Sequence, residues 1–200
     1  MTYIILGALT CGILSGYFFL PESIISNIGT MTSFALNLLI LSVGIDLGYN
    51  KEVFYDLRKA GFKILLVPLA IVLGSTIGGI IAGFIYKMPL NVSLGIASGF
   101  GWYSLSGVLL SELSNVKIGT VAFLTNVFRE IIALIMIPIL AQKLNHFTAI
   151  APAGATSMDS TLPVIAEATD QETVVISFIN GAVLSALVPI LVPLFYSIKI

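Results

Sequence analysis

Apolar segments of membrane-spanning length follow one another along almost the whole chain, separated by short polar turns. A helix needs about 20 mainly apolar residues to cross a bilayer. Segments close to that length occupy about residues 3–20, 31–49, 64–86, 88–111, 118–141, 147–166 and 173–197. Because unpaired backbone groups are costly in lipid, such segments favour α-helices. We predict an all-α integral membrane protein, with a single domain over residues 1–200 and about six to seven transmembrane segments.

The composition excludes most other classes of protein. Hydrophobic residues make up 58% of the chain and charged residues only 10%, whereas soluble domains carry about 25% charged residues. No basic run indicates nucleic acid, and no His/Cys cluster or phosphate-binding glycine loop indicates a metal, a cofactor or an enzyme. The first segment lacks the basic start of a signal peptide, so we interpret it as a permanent span.

The distribution of basic residues predicts the orientation in the membrane. Residues 50–63 contain Lys51, Arg58, Lys59 and Lys63, and loops rich in Lys and Arg remain in the cytoplasm. Two segments precede this loop, so the N-terminus is also expected in the cytoplasm. The side of the C-terminus depends on whether the segment at 147–166 crosses the membrane or is re-entrant.

Two of the segments contain residues that interrupt a helix. The first, SGFGWYSLSG at residues 98–107, carries three glycines, and the second, GATSMDSTLP at residues 154–163, is bracketed by glycine and proline. Non-helical backbone at membrane depth survives where it is buried in protein or lines a cavity. Transporters place substrate and ion sites at such breaks. We therefore predict two broken or re-entrant helices that form a transport site.

Four charged residues fall inside the apolar segments: Asp46, Arg129, Glu130 and Asp159. Such charges usually face the protein interior and mark a pathway. Asp159, in the second break, is the strongest candidate to hold a cation or carry a proton, the alternative being a carboxylate tied to nearby hydroxyls and backbone N–H groups. Asp46 lies near the end of its segment, where water can solvate it.

Arg129 and Glu130 are adjacent, so on a helix their side chains point about 100° apart and do not simply pair. Arg129 either stabilises the bundle by pairing with Asp159 or another carboxylate, or binds a substrate carboxylate with its planar fork. Glu130 is a candidate proton carrier. Asn180, in the last segment, either hydrogen-bonds to another helix or contributes to the site.

The predicted substrate or ion site combines these charges with polar and aromatic residues of the two breaks. Trp102 and Tyr103 either anchor the chain at a membrane interface or line the pathway, where an ammonium gains from cation–π attraction. The candidate residues are Asp159, Glu130, Arg129, Ser157, Ser160, Thr156, Trp102, Tyr103, Ser104 and Asn126, with Asp46 and Asn180 as possible further members.

Three runs resemble the bacterial LysO-type lysine exporters, in the order found in that family: SGFGWYSLSGVLLSE at 98–112, FREIIALIMIP at 128–138 and GATSMDSTLPV at 154–164. The resemblance implies export of L-lysine and its analogues across the bacterial cytoplasmic (inner) membrane. It also implies that an aspartate matching Asp159 is needed for transport. Single-chain members carry additional N-terminal spans and the family also occurs split, so the resemblance implies a small three-helix membrane partner or a homo-oligomer.

These expectations combine into one mechanism, with Asp159 holding a substrate ammonium and an entering proton as the coupling ion. Moving a cation outward against an inside-negative potential costs about 2.3 kcal/mol per charge per 100 mV, so export needs such coupling. Two alternatives remain: a cation/proton antiporter of broken-helix type, and a membrane subunit that works only with a small partner.

Overall fold

A computed structural model describes residues 64–198 without interruption, together with scattered positions between residues 11 and 45. The chain divides into two units, Met1–Ser42 and Val43–Ile200. In the first unit the described positions, apart from Pro21, are helical. Most of the first two predicted segments, the whole basic loop at residues 50–63 and the candidate Asp46 lie outside the described residues.

Helices account for the regular structure over residues 64–198. In chain order they are α1 (Leu66–Tyr86), α2 (Leu90–Ala97), α3 (Tyr103–Leu113), α4 (Val116–Lys143), α5 (His146–Ile150), a 3₁₀ helix (Gly154–Met158), α6 (Leu162–Ala168) and α7 (Gln171–Ser197). Three stretches in this region are long and apolar enough to cross a bilayer: Leu66–Tyr86, Val116–Lys143 and Glu172–Ser197. The predicted class, an all-α integral membrane protein, is confirmed, whereas the number of spans stays a prediction.

The long helices begin where the sequence supplies side chains that satisfy free N–H groups. Asn115 accepts a hydrogen bond from the Ile118 N–H at 3.0 Å at the start of α4, and Asp170 accepts one from the Thr173 N–H at 2.8 Å at the start of α7. Asn and Asp are among the strongest capping residues. These caps fix the residues at which α4 and α7 begin.

The two long helices α4 and α7 flank the broken segments. Helix α3 packs along α4, while α7 packs against the 3₁₀ helix, α2 and α3, and α1 packs on α2. A buried stripe of α4 contains Asn126, Glu130, Ala133 and Ile137, at the spacing of one helical face. Ala133 and Ile137 of this stripe pack against α5 and α6 in a buried cluster that includes Ile165. Both breaks are thereby held against the same helix.

A hydrogen bond between side chains outside the spanning helices joins the start of α5 to the start of α7. His146 Nδ1 lies 2.7 Å from Asp170 Oδ2. The Thr173 N–H and then the His146 ring hold the pKa of Asp170 at about 2, below its ordinary 3.8. A carboxylate with a lowered pKa stabilises the fold above the unfolded pKa, and this contribution is lost as the pH falls through the folded value.

Asp170→Asn is therefore expected to remove a pH-dependent part of the stability while keeping a cap for Thr173. The difference in Tm between the wild type and the variant, measured in detergent, should shrink as the pH falls from 3.8 to about 2. Glu172→Gln, which changes an exposed acid in the first turn of the same helix, is the control. A Tm difference that stays constant over this range would contradict the assignment.

Candidate functional site at two crossing helix breaks

The first break, residues 98–102, separates α2 from α3 as the sequence predicts. Phe100 has a φ of 46° and Gly101 a φ of 100°. A left-handed backbone is uncommon for a residue with a Cβ and is often found at functional sites. Phe100 is completely buried, so the packing of its ring holds this unusual conformation in place.

The second break, residues 151–161, separates α5 from α6 and contains the 3₁₀ helix. The 3₁₀ helix begins at Gly154, whose φ is 63°, and ends at Met158, with Asp159 as its C-cap. A short 3₁₀ helix between α-helices often marks a hinge or a strained sequence. The predicted interruption is confirmed, and Asp159 lies at the end of the unwound stretch as expected.

The two breaks cross each other backbone against backbone. The Ala155 N–H donates a hydrogen bond to the Phe100 carbonyl at 2.8 Å. A Cβ on Gly101 would lie 3.1 Å from the Ala153 carbonyl oxygen, and a Cβ on Gly154 would collide with the Phe100 carbonyl oxygen. Glycine at both positions permits this close approach of the two backbone segments, so the breaks form one composite structure.

Asn126 of α4 holds the first break. Its Oδ1 accepts a hydrogen bond from the Gly101 N–H at 2.7 Å. Its Nδ2 donates to the Ala122 carbonyl at 2.9 Å, to Ser106 Oγ at 3.2 Å and to the Ile96 carbonyl at 3.4 Å. Asn126 is only 2% exposed, and both the oxygen and the nitrogen of its amide are thus engaged in hydrogen bonds. We expect it to position the break.

Asn180 of α7 holds the second break in a similar way. Its Nδ2 donates to the Gly154 carbonyl at 3.1 Å and to Ser157 Oγ at 3.0 Å. Asn126 and Asn180 follow the left-handed glycines Gly101 and Gly154 by 25 and 26 residues. Unlike Asn126, Asn180 keeps a buried oxygen, Oδ1, that has no hydrogen-bond partner among the described residues.

Hydroxyl groups of the second break are largely occupied within the protein. Ser157 Oγ donates to the Ser177 carbonyl at 2.7 Å, and Ser177 Oγ donates to the Ser157 carbonyl at 2.9 Å. Thr156 Oγ1 bonds to the Ala153 carbonyl at 2.9 Å and lies 3.3 Å from Thr161 Oγ1. Thr156 and Ser157 would have to exchange these bonds to bind a substrate, so their predicted role as ligands stays a prediction.

Arg129 lies beside the start of the second break and binds backbone oxygens there. Its Nε donates to the Pro152 carbonyl at 3.1 Å and its Nη2 to the Ala151 carbonyl at 3.3 Å, while Nη1 donates to Ser75 Oγ of α1 at 2.8 Å. These carbonyls follow the end of α5, where backbone oxygens lack helical partners. The structure shows no ion pair between Arg129 and Asp159.

The two carboxyl groups of the predicted site differ in their exposure. Glu130 is only 2% exposed, and no described residue donates a hydrogen bond to its carboxylate. Asp159 is exposed and accepts a hydrogen bond from the Ser160 N–H. Tyr103 packs edge-on against Phe123, with ring centroids 5.5 Å apart.

The remaining predicted candidates lie around the ends of the breaks. Trp102 and Ser104 are half-buried at the start of α3, and Ser160 is half-buried after Asp159. Prediction from the sequence missed Ser75 and Ser177, which bind Arg129 and the second break. Ser177 lies three residues before Asn180 and so on the same face of the helix, and this spacing could have revealed Ser177.

The comparison with known proteins gives the family. The family model described as "Lysine exporter LysO" matches residues 6–196. The chain belongs to this family. It is 41% identical over 168 residues to the lysine exporter LysO of Escherichia coli, an alignment that covers 82% of the chain and 54% of the relative. It is also 39% identical over 171 residues to a protein of Haemophilus influenzae named "Putative lysine exporter", covering 84% of the chain and 85% of the relative.

The chain thus spans about half the length of its Escherichia coli relative. No solved structure gives a significant match. All three runs that carried the predicted resemblance, at 98–112, 128–138 and 154–164, lie within the matched residues. The predicted membership of the LysO family is confirmed, and the runs fall on the first break, on α4 beside Arg129 and Glu130, and on the second break.

Proposed function

We propose that this membrane protein exports L-lysine and lysine analogues across the bacterial cytoplasmic membrane, acting as a carrier and not as an enzyme. The observation that carries the proposal is the exposed carboxylate of Asp159 at two crossing helix breaks in a LysO-family chain. Transporters build substrate sites from such discontinuous helices. Both relatives described above are named as lysine exporters.

Asp159 is the group that we assign to the substrate ammonium. Its side chain is exposed, so a cation can reach it, and it forms no ion pair with a described residue. Hydrogen bonds between charged groups are shorter and stronger than neutral ones. An ammonium bound to this carboxylate would be held by such a charge-assisted hydrogen bond.

Glu130 is the group that we assign to the coupling proton. It is buried in the stripe of α4 and has no hydrogen-bond donor among the described residues, so it can exchange a proton without first breaking an ion pair. Intramembrane carboxyl groups in transporters commonly serve as proton relays. The proton entering as lysine leaves would offset the electrical work of moving a cation outward.

Glu130→Gln is expected to leave downhill lysine efflux in place and to abolish its response to an imposed pH gradient. The amide resembles the protonated acid in shape but cannot release a proton. Efflux from lysine-loaded proteoliposomes, with and without the gradient, measures this response. Glu172→Gln, an exposed acid at the start of α7, should behave like the wild type, and a gradient response that survives in Glu130→Gln would remove Glu130 from the coupling.

We propose further that the N-terminus lies in the cytoplasm and that the chain works with a small three-helix membrane partner or as a homo-oligomer. The longer Escherichia coli relative supports a working unit larger than this chain. Reporter fusions at each end test the orientation. Reconstitution of the chain alone and with a co-purified small membrane protein tests the partner; full activity of a monomer alone would refute it.

A cation/proton antiporter is the second candidate, supported by the free Oδ1 of Asn180 at the second break, since amide oxygens can bind Na⁺ as well as ammonium. Transport assays with L-lysine and with Na⁺ in the same proteoliposomes decide between the two. Lysine efflux without Na⁺ movement supports the exporter, and the reverse result supports the antiporter.

A further inference from the structure

Arg129 carries a positive charge that its protein contacts do not neutralise. The guanidinium lies near the middle of the 28-residue helix α4. Its three hydrogen bonds go to two carbonyls and a hydroxyl, all uncharged, and within the described chain no carboxylate pairs with it. An unpaired charge at membrane depth is costly and is usually found where it meets a partner, a substrate or water.

The guanidinium also retains unused donors. Arginine has five N–H groups in a planar fork, and three take part in the hydrogen bonds to Ala151, Pro152 and Ser75. The Ser75 hydroxyl accepts from Arg129, and its own proton has no acceptor among the described residues. Two N–H groups and one O–H group therefore remain for a further acceptor.

These donors border open space between α1 and α4. One cavity of about 620 Å³ is lined by residues that include Ser75, Gly79, Ala82, Ser93, Asn126 and Arg129. A second cavity, of about 630 Å³, is lined by Ala70, Gly74, Ser75, Arg129, Thr148 and Pro152. Arg129 and Ser75 are common to both. Small residues of α1 leave room for a ligand beside the guanidinium.

An anion with two coplanar oxygens suits the chemistry of this pair. A guanidinium fork binds a carboxylate through two parallel N–H···O bonds, and the Ser75 O–H can support one of the oxygens. Asn126 lines the first cavity, but its amide is already committed to the first break. The Ser93 hydroxyl is likewise engaged, with the Leu90 carbonyl at 3.1 Å.

We propose that Arg129 and Ser75 form a carboxylate subsite for the exported amino acid, separate from the ammonium site at Asp159. This inference rests on the proposed function and adds to it the group that distinguishes an amino acid from a simple amine. The bonds from Arg129 to Ala151 and Pro152 fix the guanidinium on the second break. Binding of a carboxylate at this subsite would therefore act directly on the break that carries Asp159.

The test compares L-lysine with pentane-1,5-diamine, which keeps two ammonium groups and lacks the carboxylate. Calorimetric titration of the purified protein should show that the wild type prefers L-lysine. In Arg129→Gln the affinity for L-lysine should fall about tenfold or more, as expected when a charged hydrogen bond is lost, while the affinity for the diamine stays unchanged. Lys143→Gln, which removes an exposed cation at the end of the same helix, is the matched control.

A second variant covers the case in which Arg129→Gln does not fold. Ser75→Ala leaves the bonds of Arg129 to the second break intact and should reduce the preference for L-lysine over the diamine, by a smaller factor. If folded variants keep the wild-type preference, the carboxylate subsite is wrong while lysine export stands. If the wild type binds neither compound, the proposed function and this subsite both fall.

Discussion

Asp159→Asn is expected to reduce lysine efflux from loaded proteoliposomes by about tenfold or more, because a charged hydrogen bond to the substrate is replaced by a neutral one. Asp159 lies at the end of the 3₁₀ helix with its side chain exposed and without an ion-pair partner in the described chain. The substitution removes the negative charge and keeps the size of the side chain. The fold should therefore survive.

Two comparisons make this result specific. Glu167→Gln removes an exposed carboxylate from α6, close to the same break, and should leave efflux unchanged. The Tm of the purified Asp159→Asn protein should stay close to that of the wild type. Unchanged efflux in Asp159→Asn would overturn the role of this residue, and equal losses in both variants would point to the general surface charge.

Among substitutions that add one methyl group where the two breaks cross, we expect Gly154→Ala to destabilise the protein most. Gly154 has a φ of 63°, and an added Cβ would collide with the Phe100 carbonyl oxygen and lie 3.0 Å from Arg129 Nη2. A left-handed backbone costs a residue with a Cβ about 1–2 kcal/mol, and overpacking adds about 1–3 kcal/mol. The free energy of unfolding should fall by about 2–5 kcal/mol.

The matched control is Gly78→Ala in α1. An added Cβ at Gly78 meets nothing within 4 Å, and alanine is the better helix former by about 1 kcal/mol. Thermal unfolding in detergent should therefore show a large loss for Gly154→Ala and none for Gly78→Ala. Equal stability of the two variants would mean that the breaks do not cross as closely as the contact between Ala155 and Phe100 indicates.

The larger consequence of Gly154→Ala concerns transport. The Gly154 carbonyl accepts a hydrogen bond from Asn180, and the adjacent Ala155 N–H binds the first break. A displaced Gly154 would disturb both contacts and the position of Asp159 that follows. Efflux should fall with stability in this variant, whereas Asp159→Asn should lose efflux alone. Comparison of these two variants therefore separates the effect of the backbone structure of the site from the effect of its charge.

The sequence by itself determined the helical membrane class, the two interruptions and the positions of the charges within the apolar segments. These follow from properties that a residue keeps in any fold. Apolar runs must form helices in lipid, and the glycines and prolines near residues 101 and 154 weaken a helix wherever it lies. The order of the three family-like runs then indicated the LysO family, which the family match confirms.

Only the tertiary structure decided how those pieces meet. No local pattern states that the Phe100 carbonyl receives the Ala155 N–H, that Arg129 binds backbone oxygens and not Asp159, or that Asn126 is fully engaged while Asn180 keeps a free oxygen. A polar side chain in a membrane helix binds whichever group the packing brings within about 3 Å. That choice depends on contacts between residues far apart in the chain, which spacing along one helix cannot specify.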